Sequence, residues 1–155
     1  MELRRIALPA FSVVGMEGST DEGQDFVKRL WERANARFGE VAPLARADEN
    51  GMPRIWGLMS DRSRAFRPWG NGYSDGLYLA GVEVDDGTTA PPGWTKWTSP
   101  AYEYAAAPME DSGSFPEALA QLKAEGLTLA GAVYDRIDPG TGTTWMYFPV
   151  RRAAD

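Results

Sequence analysis

Leu8-Pro9-Ala10-Phe11-Ser12-Val13-Val14-Gly15-Met16-Glu17 and Ser99-Pro100-Ala101-Tyr102-Glu103-Tyr104-Ala105-Ala106-Ala107-Pro108-Met109-Glu110 are two versions of one pattern. Each opens an extended run on Pro-Ala-aromatic and closes it on Met-Glu, with two more residues between those marks in the second. A helix signal follows each run. In the first half Ser19 and Glu22 have capping-box spacing. Phe26, Val27, Leu30, Trp31, Ala34 and Phe38 then recur on one helical stripe, with Gly39 as the expected stop. In the second half Ser114 and Glu117 repeat the capping spacing, and Pro116 sits in the first turn, where its missing N–H costs nothing. Phe115, Ala118, Leu119 and Leu122 form the stripe and Gly126 ends it.

Two extended segments follow each helix, about 53–60 and 77–84 in the first half and about 128–137 and 143–150 in the second. The first pair is separated by a long connection, 61–76, rich in arginine, glycine and aromatics. The second is joined by Asp138-Pro139-Gly140-Thr141-Gly142, a hairpin turn. The order is β-α-β-β twice. The fold class this predicts is α+β, with duplicated units about a pseudo-two-fold, an antiparallel sheet, two main helices and a central ligand cleft. A single domain over 1–155 is expected, with repeats at about 1–86 and 94–152 and a Gly/Pro-rich linker at 87–93. Arg4-Arg5 and the apolar run after it resemble a short signal peptide. Pro9 and Ser12 interrupt that run and no small-x-small cleavage site follows, so a strand is the better reading. Alternation on the fifth strand puts Val133, Asp135 and Ile137 on one face, and Ala132, Tyr134 and Arg136 on the other. On the sixth, Met146, Phe148 and Val150 form the better core face, opposite Trp145 and Tyr147.

Composition removes several chemistries. The 155 residues include no cysteine and no histidine, which excludes disulfides, thiolate or imidazole metal sites, a Ser-His-Asp triad and any His-activated nucleophile. No cofactor is expected. A net charge of −6 disfavours direct nucleic-acid binding and suits a cationic partner. No apolar run approaches the roughly 18 residues of a membrane span, so no membrane partner is expected, and the absence of cysteine fits a cytoplasmic location. Gly70-Asn71-Gly72 and Gly140-Thr141-Gly142 lack the spacing of phosphate loops and read as turns.

The chain carries six Trp, six Tyr and six Phe. Trp56, Trp69, Tyr73 and Tyr78 form one sequence cluster; Trp94, Trp97, Tyr102 and Tyr104 form another. Aromatic faces attract cations, and aromatics ringed about a carboxylate suit a flat or cationic organic ligand. Core packing is the competing role for each of them, and Lys96 is an internal cation that would weaken the idea. Asp135 is the acid of most interest, because its same-face neighbours Val133 and Ile137 are apolar. An unpaired carboxylate there must take a proton or find a cation, either a ligand's or that of Arg136, Arg54 or another arginine; the remaining alternative is an exposed Asp near the turn. Glu83 and Glu103 are expected to face solvent. The candidate ligand-binding set is Asp135, Trp56, Trp69, Tyr73, Tyr78, Trp94, Trp97, Tyr104, Trp145 and Tyr147.

The duplicated order resembles the gyrase-inhibitor-like (GyrI-like) effector-binding domains, the ligand-binding module of AraC- and BmrR-type regulators. The matching stretches are Trp56-Gly57-Leu58, 77–84, Pro92-Gly93-Trp94, 100–105, Tyr134-Asp135-Arg136-Ile137 and Phe148-Pro149-Val150. Where this chain reads Tyr134-Asp135-Arg136-Ile137 the family reads Phe-Glu-x-Tyr, and the resemblance implies that Asp135 helps bind cationic ligands. Asp is one methylene shorter than Glu, Ile137 replaces an aromatic, and the arginine-rich stretch 61–72 exceeds the family pattern. The resemblance implies a stand-alone binder of a small organic compound, cationic or aromatic, more than a catalyst. The alternatives are a small hydrolase of strained or electrophilic toxins, with Asp135 as base or nucleophile and Tyr104 or Tyr147 as acid, or a gyrase-inhibitor-like module with a protein partner.

Overall fold

The computed structural model describes residues 3–109 and 114–153. Its elements run β1 (Arg4–Leu8), β2 (Phe11–Ser19), α1 (Phe26–Ala36), β3 (Ile55–Ser60), β4 (Leu77–Val84), β5 (Thr95–Ser99), β6 (Tyr102–Met109), α2 (Ser114–Ala124), β7 (Tyr134–Ile137) and β8 (Thr144–Arg152). Among the described residues the strands form one antiparallel sheet in the order β1-β6-β8-β7-β3-β4-β2-β5. The fold is the α+β arrangement expected, with each unit enlarged by one strand. Pro9-Ala10 and Pro100-Ala101 do not open the long strands. They split each run in two, because proline cannot donate to a ladder and restricts the residue before it. The repeating unit is therefore β-β-α-β-β.

Three local expectations shift. The Ser19–Glu22 capping box is real, but it closes a 3₁₀ turn, Thr20–Glu22, and α1 begins only at Phe26, after Asp25 in the left-handed region (φ 63°). At its other end α1 stops at Ala36, so Gly39 falls in a 3₁₀ turn, Phe38–Glu40. The segment before Tyr134 stays out of the sheet because its backbone is committed elsewhere: the Ala132 N–H donates to the Phe66 carbonyl (2.8 Å) and the Ala130 N–H to that of Pro149 (2.8 Å). Gly126 follows α2 at φ 75°, as a helix stop requires. The proposed Ser114 side-chain cap lies outside the described residues.

Alternation sorts the apolar residues onto two faces. On one, α1 covers Val14, Met16, Ala80 and Val82, while α2 covers Ala105, Met146 and Phe148. On the other, Phe11, Trp56, Leu58, Leu79 and Trp97 meet Tyr102, Tyr104 and Tyr134 in one aromatic core, with Phe66 inserted between Trp97 and Tyr134. The expected solvent-facing role fails for Glu83. It is 5% exposed and bound to the Arg54 guanidinium (2.8 Å) and the Trp56 indole N–H (2.9 Å), because β4 is buried along its whole length. Glu103 is only partly exposed and bridges Arg5 and Arg151. Lys96 turns to the Asp86 carbonyl and lies over no aromatic ring among the described residues. The arginines of 61–72 pin the long connection: Arg62 reaches Asp21 (2.7 Å) and Asp75 (2.6 Å), and Arg64 reaches Glu17 (2.6 Å).

Gly15 of β2 faces Gly81 of β4 across the ladder. A Cβ at Gly81 would lie 2.0 Å from the Val14 carbonyl oxygen, a backbone atom that cannot swing away. Gly81→Ala is expected to cost about 2–3 kcal/mol of stability, seen as a lower urea midpoint at unchanged m-value. Gly87→Ala, in open space, should stay within about 0.5 kcal/mol of the wild type.

Candidate functional site

A cavity of about 290 Å³ opens on the helix-bearing face, between α2 and the long connection. Its floor is Met59 of β3, Val133 and Asp135 before and within β7, and Met146 of β8. Its walls are Pro68, Trp69 and Tyr73 from the connection, Met109 from β6 and Phe115 from α2. The walls are held in place. The Trp69 indole N–H donates to the Leu77 carbonyl (2.8 Å), Tyr73 meets Phe115 edge to face (5.6 Å), and Phe115 stacks on Phe148 (6.0 Å). Tyr73 is 42% exposed and forms the mouth, in a left-handed turn that includes Asn71 (φ 51°), Gly72 (φ 67°) and Tyr73 itself (φ 67°).

Asp135 is the charged residue of this lining. Neither arginine weighed against it is its partner: Arg136 projects to the opposite face of β7, and Arg54 is engaged with Glu83. Asp135 Oδ2 accepts instead from the Tyr78 hydroxyl (2.8 Å), and the Trp31 indole N–H donates to that hydroxyl (3.1 Å). This relay crosses three strands. Tyr78 stands on β4 and Asp135 on β7, with Gly57 of β3 between them, paired directly with Asp135. The tyrosine passes over the glycine so closely that a Cβ there would lie 1.7 Å from the hydroxyl oxygen. Gly57 is thus the gap that lets Tyr78 reach Asp135.

The other oxygen is left alone. Asp135 Oδ1 is buried and has no hydrogen-bond partner among the described residues. Burial pushes the Asp135 carboxyl up to about 6, against the lowering effect of the Tyr78 hydrogen bond. Burial, and then the neighbouring Asp135 charge, hold the Tyr78 hydroxyl well above the usual phenol value, so it remains a donor. Among the described residues no group of three or more acidic side chains is placed to hold a metal ion, and no helix is long and apolar enough to cross a membrane.

Of the ten residues read from the sequence, Asp135, Trp69 and Tyr73 line the cavity, and Tyr78 supports Asp135 from behind. The other six lie elsewhere. Trp56, Trp97 and Tyr104 belong to the aromatic core of the opposite face, with Tyr147 packed against it. The Trp97 indole N–H binds Glu17 (2.8 Å). Trp94 packs under α1 and donates to Glu40 (3.0 Å), and Trp145 lies beneath the Arg4 guanidinium (5.0 Å). Tyr104 and Tyr147 are therefore on the wrong face to act as acid beside Asp135; the tyrosine in contact with it is Tyr78. Met59, Met109, Phe115, Met146 and Gly57 were missed. They are apolar or side-chain-free, and sequence spacing gives them core roles.

No protein-family model matches the chain. Over 105 residues it is 32% identical to the transcriptional regulator BrlR of Pseudomonas aeruginosa, in an alignment covering 68% of this chain and 34% of BrlR, so the chain spans about a third of the length of that curated relative. Among solved structures, SAV2435 bound to tetraphenylphosphonium is similar with a TM-score of 0.68 at 17% identity, over 97% of this chain and 94% of that one. The C-terminal domain of EcmrR is similar with a TM-score of 0.66 at 11% identity, over 98% of each chain. The helices on one face of a single antiparallel sheet, and the likenesses to SAV2435 and the EcmrR C-terminal domain along nearly the whole of both chains, give the chain the GyrI-like α+β fold.

Proposed function

We propose that the protein is a receptor for a bulky, largely apolar organic cation, which occupies the cavity with its charge against Asp135. The observation that carries this reading is the unpartnered Oδ1 of Asp135 in an otherwise apolar cavity. A buried carboxylate with an empty acceptor site is costly, and a ligand cation would remove that cost on arrival. Three methionines and three aromatics around it make a polarisable, adaptable wall that favours hydrophobic cations of varied shape. SAV2435, of the same fold, was solved with tetraphenylphosphonium, a cation wrapped in aryl groups. The likeness to BrlR, a transcriptional regulator, supports sensing as the use of such binding. A hydrolase would need an acid facing the substrate, and Tyr78 lies behind Asp135, outside the cavity lining, with its proton committed to the carboxylate.

Titration with tetraphenylphosphonium, followed by tryptophan fluorescence, is expected to saturate without turnover. Asp135→Asn should weaken it at least about tenfold while leaving a neutral aryl compound unaffected. Binding indifferent to Asp135→Asn, or consumption of an electrophilic ester abolished by it, would overturn the receptor reading.

The pH dependence has a defined sign. Protonation near pH 6 neutralises Asp135, so cation affinity should fall between pH 7.5 and 5. The folded-state pKa is raised, so this group's stabilising contribution is complete below its unfolded value near 4 and is lost as pH rises through about 6. Asp135→Asn should therefore stabilise the ligand-free protein at pH 7.5, by up to about 3 kcal/mol, with the gain vanishing near pH 4 in denaturant titrations.

A further inference from the structure

We infer that the opposite face of β3 and β7 carries a second, independent site, for a small organic monocarboxylate whose acid group pairs with Arg136. A recess of about 330 Å³ lies beside the Pro9-Ala10 link, with Phe11 and Trp56 as its apolar wall and Arg54, Glu83 and Arg136 as its polar side.

The charges in this recess are unevenly satisfied. Glu83 is saturated: it accepts from Arg54 (2.8 Å) and from the Trp56 indole N–H (2.9 Å), with Arg46 at 3.8 Å. Asp48, at the rim, is spent on its own turn, accepting from the Asn50 and Met52 backbone N–H groups. Arg136 has neither an ion pair nor a hydrogen bond among the described residues. Its guanidinium stacks on Trp56, its direct cross-strand neighbour, at 4.8 Å. The side chain is half-buried, and burial lowers its pKa more than the neighbouring Tyr147, Glu83 and Asp48 raise it.

A guanidinium held over an indole without a hydrogen-bond partner retains N–H donors, and their fork matches the two oxygens of a carboxylate. The rest of the ligand is set by the wall: Phe11, Pro9 and Trp56 offer apolar contact to an aryl or alkyl body. Glu83, Asp48 and Glu49 line the same recess, so a singly charged carboxylate meets less repulsion there than a phosphate dianion. The two sites are kept apart by strand alternation. Asp135 and Arg136 are consecutive, and they project to opposite faces.

The test is a titration of the intact ¹⁵N-labelled protein with benzoate up to about 10 mM, read at the tryptophan indole N–H resonances. The Trp56 signal is expected to shift saturably, in the presence of tetraphenylphosphonium as well as without it. Arg136→Gln should weaken benzoate at least about tenfold, and Arg136→Lys, which keeps the charge and loses the fork, by less. The wild-type dispersion of the other indole signals will show that each variant is folded. Absence of a saturable shift at Trp56, an unaltered affinity in a folded Arg136→Gln, or displacement of benzoate by tetraphenylphosphonium would overturn the second site. Tighter binding of inorganic phosphate than of benzoate would overturn its assignment to carboxylates.

Discussion

The constraint on which the rest depends is the brevity of two links. Leu8 and Phe11 belong to strands six places apart in the sheet, β1 and β2, yet only Pro9 and Ala10 separate them. Ser99 and Tyr102, on β5 and β6, are six places apart in the opposite sense, with only Pro100 and Ala101 between. Six strand spacings in a flat sheet would be about 29 Å, and three Cα–Cα steps span at most about 11 Å. A flat sheet is therefore impossible, and the two ends must curl toward one another. Curling turns one face inward, where aromatics from both halves meet around Phe66, and leaves the other face to the two helices.

That curvature explains why most of the aromatic residues serve in packing. The inward face is largely core, and large rings are an efficient way to fill it. The helix-bearing face is covered less completely. Between α2 and the first half of the sheet the long connection bridges the space with Trp69 and Tyr73, leaving a cavity over β7. The connection serves both faces of the sheet, since Phe66 enters the inner core and Trp69 covers the outer one. The strength of its arginine anchoring to β2 and the adjacent turn fits this double duty.

The sequence was informative wherever a local rule decided the outcome. The twin Pro-Ala-aromatic runs exposed the duplicated architecture, and alternation set Asp135 against apolar neighbours. It was uninformative where tertiary geometry decided. The prolines mark both ends and turns of strands, so a single residue type could not separate β1 from β2. Glu83 looked exposed because an acid in a strand usually is; its burial depends on Trp56 and Arg54 arriving from the neighbouring strand. The cavity aromatics could not be told from the core aromatics because both groups obey the same spacing. The Tyr78–Asp135 contact was hidden for a more specific reason: it runs diagonally across an intervening strand, through the absent side chain of Gly57.

Gly57 also shows why the carboxylate is held half-satisfied. A side chain at that position would separate Tyr78 from Asp135, leaving both oxygens unpartnered and removing the hydrogen bond that lowers the carboxyl's pKa. A second donor would complete the carboxylate and leave no reason for a cation to enter. One hydrogen bond, on Oδ2 alone, keeps the carboxyl low enough to ionise near neutrality and keeps Oδ1 free. On the proposed reading, the stability lost by leaving one buried acceptor open is what a ligand cation would recover on binding, and neither Arg54 nor Arg136 competes for that acceptor.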